Sequence, residues 1–150
     1  MNVSDLCNRT VVICRKEDSV IDAAGKMRAF HVGDLVVVED QGDRRVPVGI
    51  VTDRDLVVSV LARHSKVIDS LKVGDIYSTD LVTALEEESL PEALAKMRAH
   101  GVRRLPVVNR RGELEGILTF DDVVELLAEE LTELAELPAR EQRREREQRV

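Results

Sequence analysis

Apolar residues along this chain fall into two spacings, and each spacing occurs in both halves. Val11-Val-Ile-Cys14, Leu35-Val-Val-Val38 and the stretch from Val46 to Thr52 are short aliphatic and β-branched runs, which predict strands. The unbroken run at 35–38 suits a strand covered on both faces. Between the first two runs, Val20, Ala23, Ala24, Met27 and Phe30 recur at three and four positions, the stripe of an amphipathic helix. Ser19 is placed to cap that helix with Asp22 as its reciprocal partner, and the helix should end near His31-Val-Gly33. A further helix is predicted from Asp53 to about Ala62, turning Leu56, Val57, Val60 and Leu61 inward. The order is β-α-β-β-α.

The second half repeats the first. A constant offset of 70 residues carries Val3 onto Val73, Asp5 onto Asp75, Ser19 onto Ser89, and Lys26-Met-Arg28 onto Lys96-Met-Arg98. Leu35, Val37, Val38 and Gly42 then fall on Leu105, Val107, Val108 and Gly112. The register slips beyond this point, because the first copy carries a longer connection, Gln41 to Pro47, which predicts a hairpin loop. In the second copy strands are predicted at Leu81-Val-Thr83, Leu105 to Val108 and Leu114 to Thr119. Its first helix has Ser89 as cap, Pro91 in the first turn, and Leu90, Leu94, Met97 and Val102 as its stripe. The last helix starts at Asp121 and runs through Val124, Leu127, Leu131 and Leu134. After Pro138 the chain has no apolar stripe, so a solvated helix or a disordered tail is expected. The expected units are 1–68, 69–134 and a charged tail at 135–150. Two copies are too few for a solenoid, so they are expected to close as a pseudo-twofold α/β (α+β) pair.

Composition narrows the partners. With 43% hydrophobic and only 2% aromatic residues and no Trp, the core must be aliphatic and base stacking cannot dominate binding. A net charge of −7 argues against nucleic acid. Cys7 and Cys14 fit no metal or redox spacing, and no metal is expected. The opening Met1-Asn-Val-Ser-Asp-Leu-Cys7 lacks a basic segment followed by a long apolar one, and no apolar run approaches the ~20 residues of a membrane span. A cytoplasmic, reduced protein without membrane association is expected. No H-E-x-x-H, C-x-x-C, G-x-G-x-x-G or G-x-S-x-G occurs, and no enzyme is expected.

The candidate chemistry lies where strand meets helix. Gly49-Ile-Val-Thr-Asp-Arg-Asp55 returns as Gly116-Ile-Leu-Thr-Phe-Asp-Asp122. One reading is a capping box, Thr52 with Asp55 and Thr119 with Asp122. The other adds a ligand, because free N–H groups at a helix start suit a phosphate and the carboxylate can accept from a sugar diol. The recurrence in equivalent places favours the second. His31, His64 and His100 have no counterparts between copies and are expected at the surface.

Taken together, the two β-α-β-β-α copies, their Gly-apolar-x-Thr-x-x-Asp endings, Val73-Gly-Asp-Ile76, the two Lys-Met-Arg segments and Val102-Arg-Arg-Leu-Pro-Val107 resemble a tandem pair of CBS (cystathionine-β-synthase-type) domains, or Bateman module, over residues 3 to 134. The resemblance implies a regulatory, non-enzymatic module that binds AMP, ADP, ATP, NAD or S-adenosylmethionine in clefts between the repeats. It also implies a disc-like homodimer that signals by conformational change to a separate partner. It makes Thr52 and Thr119 phosphate contacts and Asp55 and Asp122 ribose acceptors. The segments around Cys14 and Ala84 would offer backbone groups to adenine, and Arg103 and Arg104 would reach a phosphate. The first copy has Gly33 and Asp34 at the latter place, an aspartate that repels phosphate and that Arg54 offsets in part, so the clefts are not expected to bind alike. A ligand-free dimerisation scaffold is the competing reading.

Overall fold

The computed structural model describes residues 1–149. Its elements run α1 (Val3–Leu6), β1 (Ile13–Cys14), α2 (Val20–Phe30), β2 (Asp34–Gln41), β3 (Arg44–Thr52), a helical stretch α3 over 53–64, β4 (Ala84–Leu85), α4 (Leu90–His100), β5 (Arg104–Val108), β6 (Leu114–Thr119) and α5 (Phe120–Gln148). Turns of 3₁₀ helix at Ser65–Ser70 and Val73–Asp75 join the halves. Each half forms one three-stranded sheet, β1-β2-β3 and β4-β5-β6. The first pair in each sheet is parallel, as a helical crossover requires, and the second is an antiparallel hairpin. Both hairpins slip register at the same place, between Val37 and Val38 and between Val107 and Val108.

Helix ends follow the local chemistry. The Ser19 hydroxyl accepts from the Asp22 N–H at 3.0 Å, and Ser89 and Glu92 close a reciprocal box. Helix α2 stops with His31 in the left-handed region at φ 54°, where α4 has Gly101 at φ 64°. The repeated lysines tie helix to sheet: Lys26 Nζ donates to the Ile13 carbonyl at 3.0 Å and Lys96 Nζ to the Thr83 carbonyl at 3.2 Å.

Three expectations require correction. The first strands are only Ile13–Cys14 and Ala84–Leu85. In the second half the preceding residues leave the sheet, and the Thr83 carbonyl is bonded to an ammonium rather than to a strand. The stretch 41–47 is not a loop, because β2 and β3 stay paired to Gln41 and Arg44 and turn at Gly42 and Asp43. Gly42, at φ 66°, supplies the left-handed backbone that so tight a turn needs. Helix α3 starts as an α turn, widens to π geometry over Leu56–Leu61 and closes with Ala62–His64, which rotates its face. Val60 is buried, but Val57 and Leu61 point outward, 55% and 56% exposed. Of the two alternatives expected beyond Pro138, a solvated helix or a disordered tail, the structure has the first, and α5 does not end at Leu134. It continues through Pro138 to Gln148, exposed on every side from Leu127 onward. The tail is therefore helical; Val150, its last residue, lies outside the described residues. No helix among the described residues is long and apolar enough to cross a membrane.

The cores exchange segments. Val3 and Cys7, from the start of the chain, pack with Ala84, Met97, Leu105 and Leu118 of the second half. Val73, Ile76 and Tyr77, which lead into the second half, pack with Cys14, Met27, Leu35 and Val51 of the first. Backbone bonds fix each exchange: Asn8 and Ile117 bond reciprocally at 2.9 Å, and the Ser78 N–H donates to the Ile50 carbonyl at 3.2 Å. A third layer, Val36, Val38 and Ile117, joins the two sheets.

The motif glycines permit these crossings. A Cβ on Gly116 would lie 2.9 Å from the Asn8 carbonyl oxygen and from Cys7 Sγ, and one on Gly49 would overlap the Tyr77 ring and the Ser78 carbonyl oxygen. Gly49→Ala should therefore destabilise by about 3 kcal/mol and Gly116→Ala by about 1, the two ends of the usual range for overpacking. Urea denaturation of both variants checks this. Equal losses would mean that the segment at 77–78 yields as readily as the one at 7–8.

Candidate functional site

Strands β3 and β6 deliver the two motifs to the start of a helix. In the first, the Thr52 hydroxyl accepts from the Asp55 N–H at 3.1 Å, while Asp55 Oδ2 accepts from the Thr52 N–H at 2.9 Å. In the second, the Thr119 hydroxyl accepts from the Asp122 N–H at 3.1 Å and donates to Asp122 Oδ2 at 2.7 Å. The capping chemistry is thus present in both. It engages one carboxylate oxygen of Asp55 and leaves Oδ1 unengaged among the described residues.

A cleft of about 490 Å³ opens between the two halves. Thr52, Arg54 and Asp55 line one wall, and Leu81, Val82, Arg103 and Arg104 line the other. The arginines of the second repeat therefore stand between the two motifs: they line this cleft with Thr52 and Asp55, while Arg104 is the β5–β6 ladder partner of Thr119 in their own repeat. Three guanidiniums share this space with the carboxylates of Asp53, Asp55 and Asp80. Thr119 and Asp122 line a separate cleft of about 160 Å³ with Thr10, Val12 and Asp34, and no basic residue lines it.

The clefts meet at one ion pair. Arg104 Nη1 lies 3.0 Å from Asp34 Oδ1, and both side chains are largely covered. Burial pushes the Asp34 carboxyl above the usual range, Arg104 pulls it back, and Asp53 adds to the rise. Arg103 is more open: it pairs with Asp121 at 3.0 Å, and its guanidinium lies 5.2 Å from the centre of the Phe120 ring.

The CBS domain family profile matches residues 3–62 and 73–129. The chain belongs to the CBS domain family. An uncharacterized protein of Methanopyrus kandleri is 32% identical over 126 residues, 84% of this chain and 62% of its own length. The chain thus spans about three fifths of that relative. YlbB of Bacillus subtilis, also uncharacterized, is 37% identical over 81% of this chain and 78% of its own length. Among solved structures, CBSX2 in complex with AMP is 28% identical with a TM-score of 0.71, over 85% of this chain and 96% of that one.

Not every residue singled out from the CBS resemblance reaches a cleft. Cys14 and Ala84 are fully buried in the two cores, and neither side chain lines either space. Ser78, Asp80, Leu81 and Val82 line the larger cleft, and Asn8, Thr10, Val11 and Val12 the smaller. The signal for these positions was the repeat itself, since each of the first four is the counterpart of one of the second four. His31, His64 and His100 are exposed, and no group of three or more His, Cys, Asp or Glu among the described residues could hold a metal ion.

Core placement of Cys14 has a consequence in pH. Burial, reinforced by Asp18 and opposed by Lys26, pushes its thiol up to about 11 from 9.0. An unfolded Cys14 loses its proton first, so the thiol's contribution is complete below pH 9 and is lost as pH rises through 11. Stability should fall by about 2 kcal/mol across that window through this residue, and Cys14→Ala should flatten the fall. Denaturant titrations at pH 8 and 11 on both proteins measure the difference.

Proposed function

We propose that this CBS pair is a regulatory, non-catalytic module that binds one adenosine nucleotide, AMP, ADP or ATP, in the larger cleft. Binding would shift its conformation and so signal to a separate target protein in the cytoplasm. The observation that carries the reading is the convergence of Thr52 and Asp55 from one repeat with Arg103 and Arg104 from the other around a single cleft. The Thr52 hydroxyl holds the phosphate, which the arginines reach as charge-assisted donors. Asp55 accepts from the ribose diol. Leu81 and Val82 give the adenine an apolar wall, and the AMP complex of CBSX2 supports the ligand class. Thr119 and Asp122 are the counterparts in the smaller cleft, where two carboxylates and no base oppose a phosphate. NAD and S-adenosylmethionine are the competing adenosine ligands, and a ligand-free scaffold is the competing role.

The ribose is the sensitive probe. Loss of a charge-assisted hydrogen bond weakens binding by roughly 1.5 to 3 kcal/mol, so the preferred nucleotide should bind at least ~10-fold better than its 2′-deoxy analogue. Asp55→Ala should abolish that preference and, having lost only a cap partner worth ~1 kcal/mol, should stay folded. Asp122→Ala should retain it. Calorimetry on the three proteins tests the assignment, and equal binding of ribo and deoxy forms to the native protein would make Asp55 a cap alone. No response to AMP, ADP, ATP, NAD or S-adenosylmethionine in a thermal-shift panel would favour the scaffold.

We also infer a homodimer. Val57, Leu61, Leu127 and Leu131 are between 49% and 67% exposed, an apolar surface that a second copy would cover. Sedimentation at tens of micromolar, roughly the range for a standard interface, should give twice the chain mass. A monomer at that concentration would refute it.

A further inference from the structure

Asp34 and Arg104 are counterparts in the repeat, and each stands beside a motif threonine. Asp34 pairs with Thr52 in the β2–β3 ladder, and Arg104 with Thr119 in the β5–β6 ladder. Residues opposite each other in an antiparallel ladder lie about 5 Å apart at Cα, so Asp34 is rooted next to the threonine assigned to the phosphate. Its side chain lines the smaller cleft, yet its ion pair reaches Arg104 on the wall of the larger one.

The two arginines of the second repeat are held differently. Arg103 and its partner Asp121 are 67% and 80% exposed, and a pair so open to water and salt is weak. Arg104 and Asp34 are 30% and 19% exposed at 3.0 Å, so their attraction is screened far less. The charges acting on Asp34 are Arg104, which stabilises its anion, and Asp53, which opposes it. The ion pair engages one nitrogen of Arg104, whose guanidinium has five N–H groups. A phosphate beside Thr52 and the Asp34 carboxylate would therefore contend for the same cation, and the two anions would repel each other at short range. Both effects scale with the charge on the phosphate, and neither acts on an uncharged nucleoside.

We propose that Asp34 is a positioning residue that sets the phosphate selectivity of the larger cleft, competing with the nucleotide for Arg104 and so restraining the preference for nucleotide over adenosine. This rests on the nucleotide reading of that cleft and adds the residue outside it that tunes it. Calorimetry of the full chain with adenosine, AMP, ADP and ATP tests the role. Asp34→Asn keeps the size and a carbonyl oxygen that can accept from Arg104, but removes the charge. It should bind the nucleotide that the native protein prefers about 10-fold tighter, as loss of one nearby like charge predicts, at one nucleotide per chain and with adenosine binding unchanged. Asp34→Ser, smaller and also neutral, should show the same gain and replaces the Asn variant if a thermal melt finds that one unfolded. Asp34→Glu, which restores the charge, should return the ratio of nucleotide to adenosine affinity to its native value. Equal nucleotide affinity in the native and neutral variants, or a gain shared equally by adenosine, would overturn the proposal. So would a second nucleotide bound by the neutral variants with the first affinity unchanged, because Asp34 would then guard only the smaller cleft. A native chain that binds none of the three nucleotides refutes the nucleotide reading itself, whereas native binding without the gain refutes only the role of Asp34.

Discussion

The structure depends on a mutual exchange at two glycines. Asn8 and Ser78 each pass over a strand of the opposite sheet close enough to bond with its backbone, and a side chain at Gly49 or Gly116 would occupy the path. Each half-core is therefore completed by a segment that belongs, in sequence, to the other half. Val73 and Tyr77 close the first core, so it could not retain its apolar burial if the chain were cut between the repeats. The pair is one folding unit for this reason, although its sequence reads as two.

That exchange also builds the clefts. The residues that follow each crossing, Thr10 to Val12 and Asp80 to Val82, are carried past the end of the opposite motif and become its facing wall. A threonine and an aspartate that would otherwise only cap a helix thus gain a second surface opposite them. Capping is compatible with ligand contact here. It holds Asp55 by Oδ2 and orients the carboxylate, as a preorganised acceptor requires.

Symmetry in the fold does not extend to charge. Positions 34 and 104 are counterparts in the repeat, and in space they meet as Asp34 and Arg104 across the pseudo-twofold axis. One cleft is left with guanidiniums among its carboxylates and the other with carboxylates alone. A phosphate that drew Arg104 away would leave Asp34 less compensated, and the carboxyl already sits high. The same pair that separates the two clefts in character also connects them.

Much of this was legible in the chain alone. The strand and helix order, the caps at Ser19, Ser89, Thr52 and Thr119, and the repeat all follow from local spacing and hydrogen-bonding chemistry, which neighbours in sequence suffice to determine. The family resemblance followed from the same motifs. What tertiary structure decided is which residues face each other. Arg103 and Arg104 belong in sequence to the second repeat yet also face the first repeat's motif across the larger cleft, and the side chains of Cys14 and Ala84 sit in the cores beside the clefts rather than in them. Helix α3 turned Val57 and Leu61 outward through a π-turn that apolar spacing cannot register. The placement of the arginines and of Cys14 and Ala84 rests on segments distant in sequence packing against one another, as Asn8 does on Ile117, and periodicity, which is a local signal, carries no information about the partner across the interface.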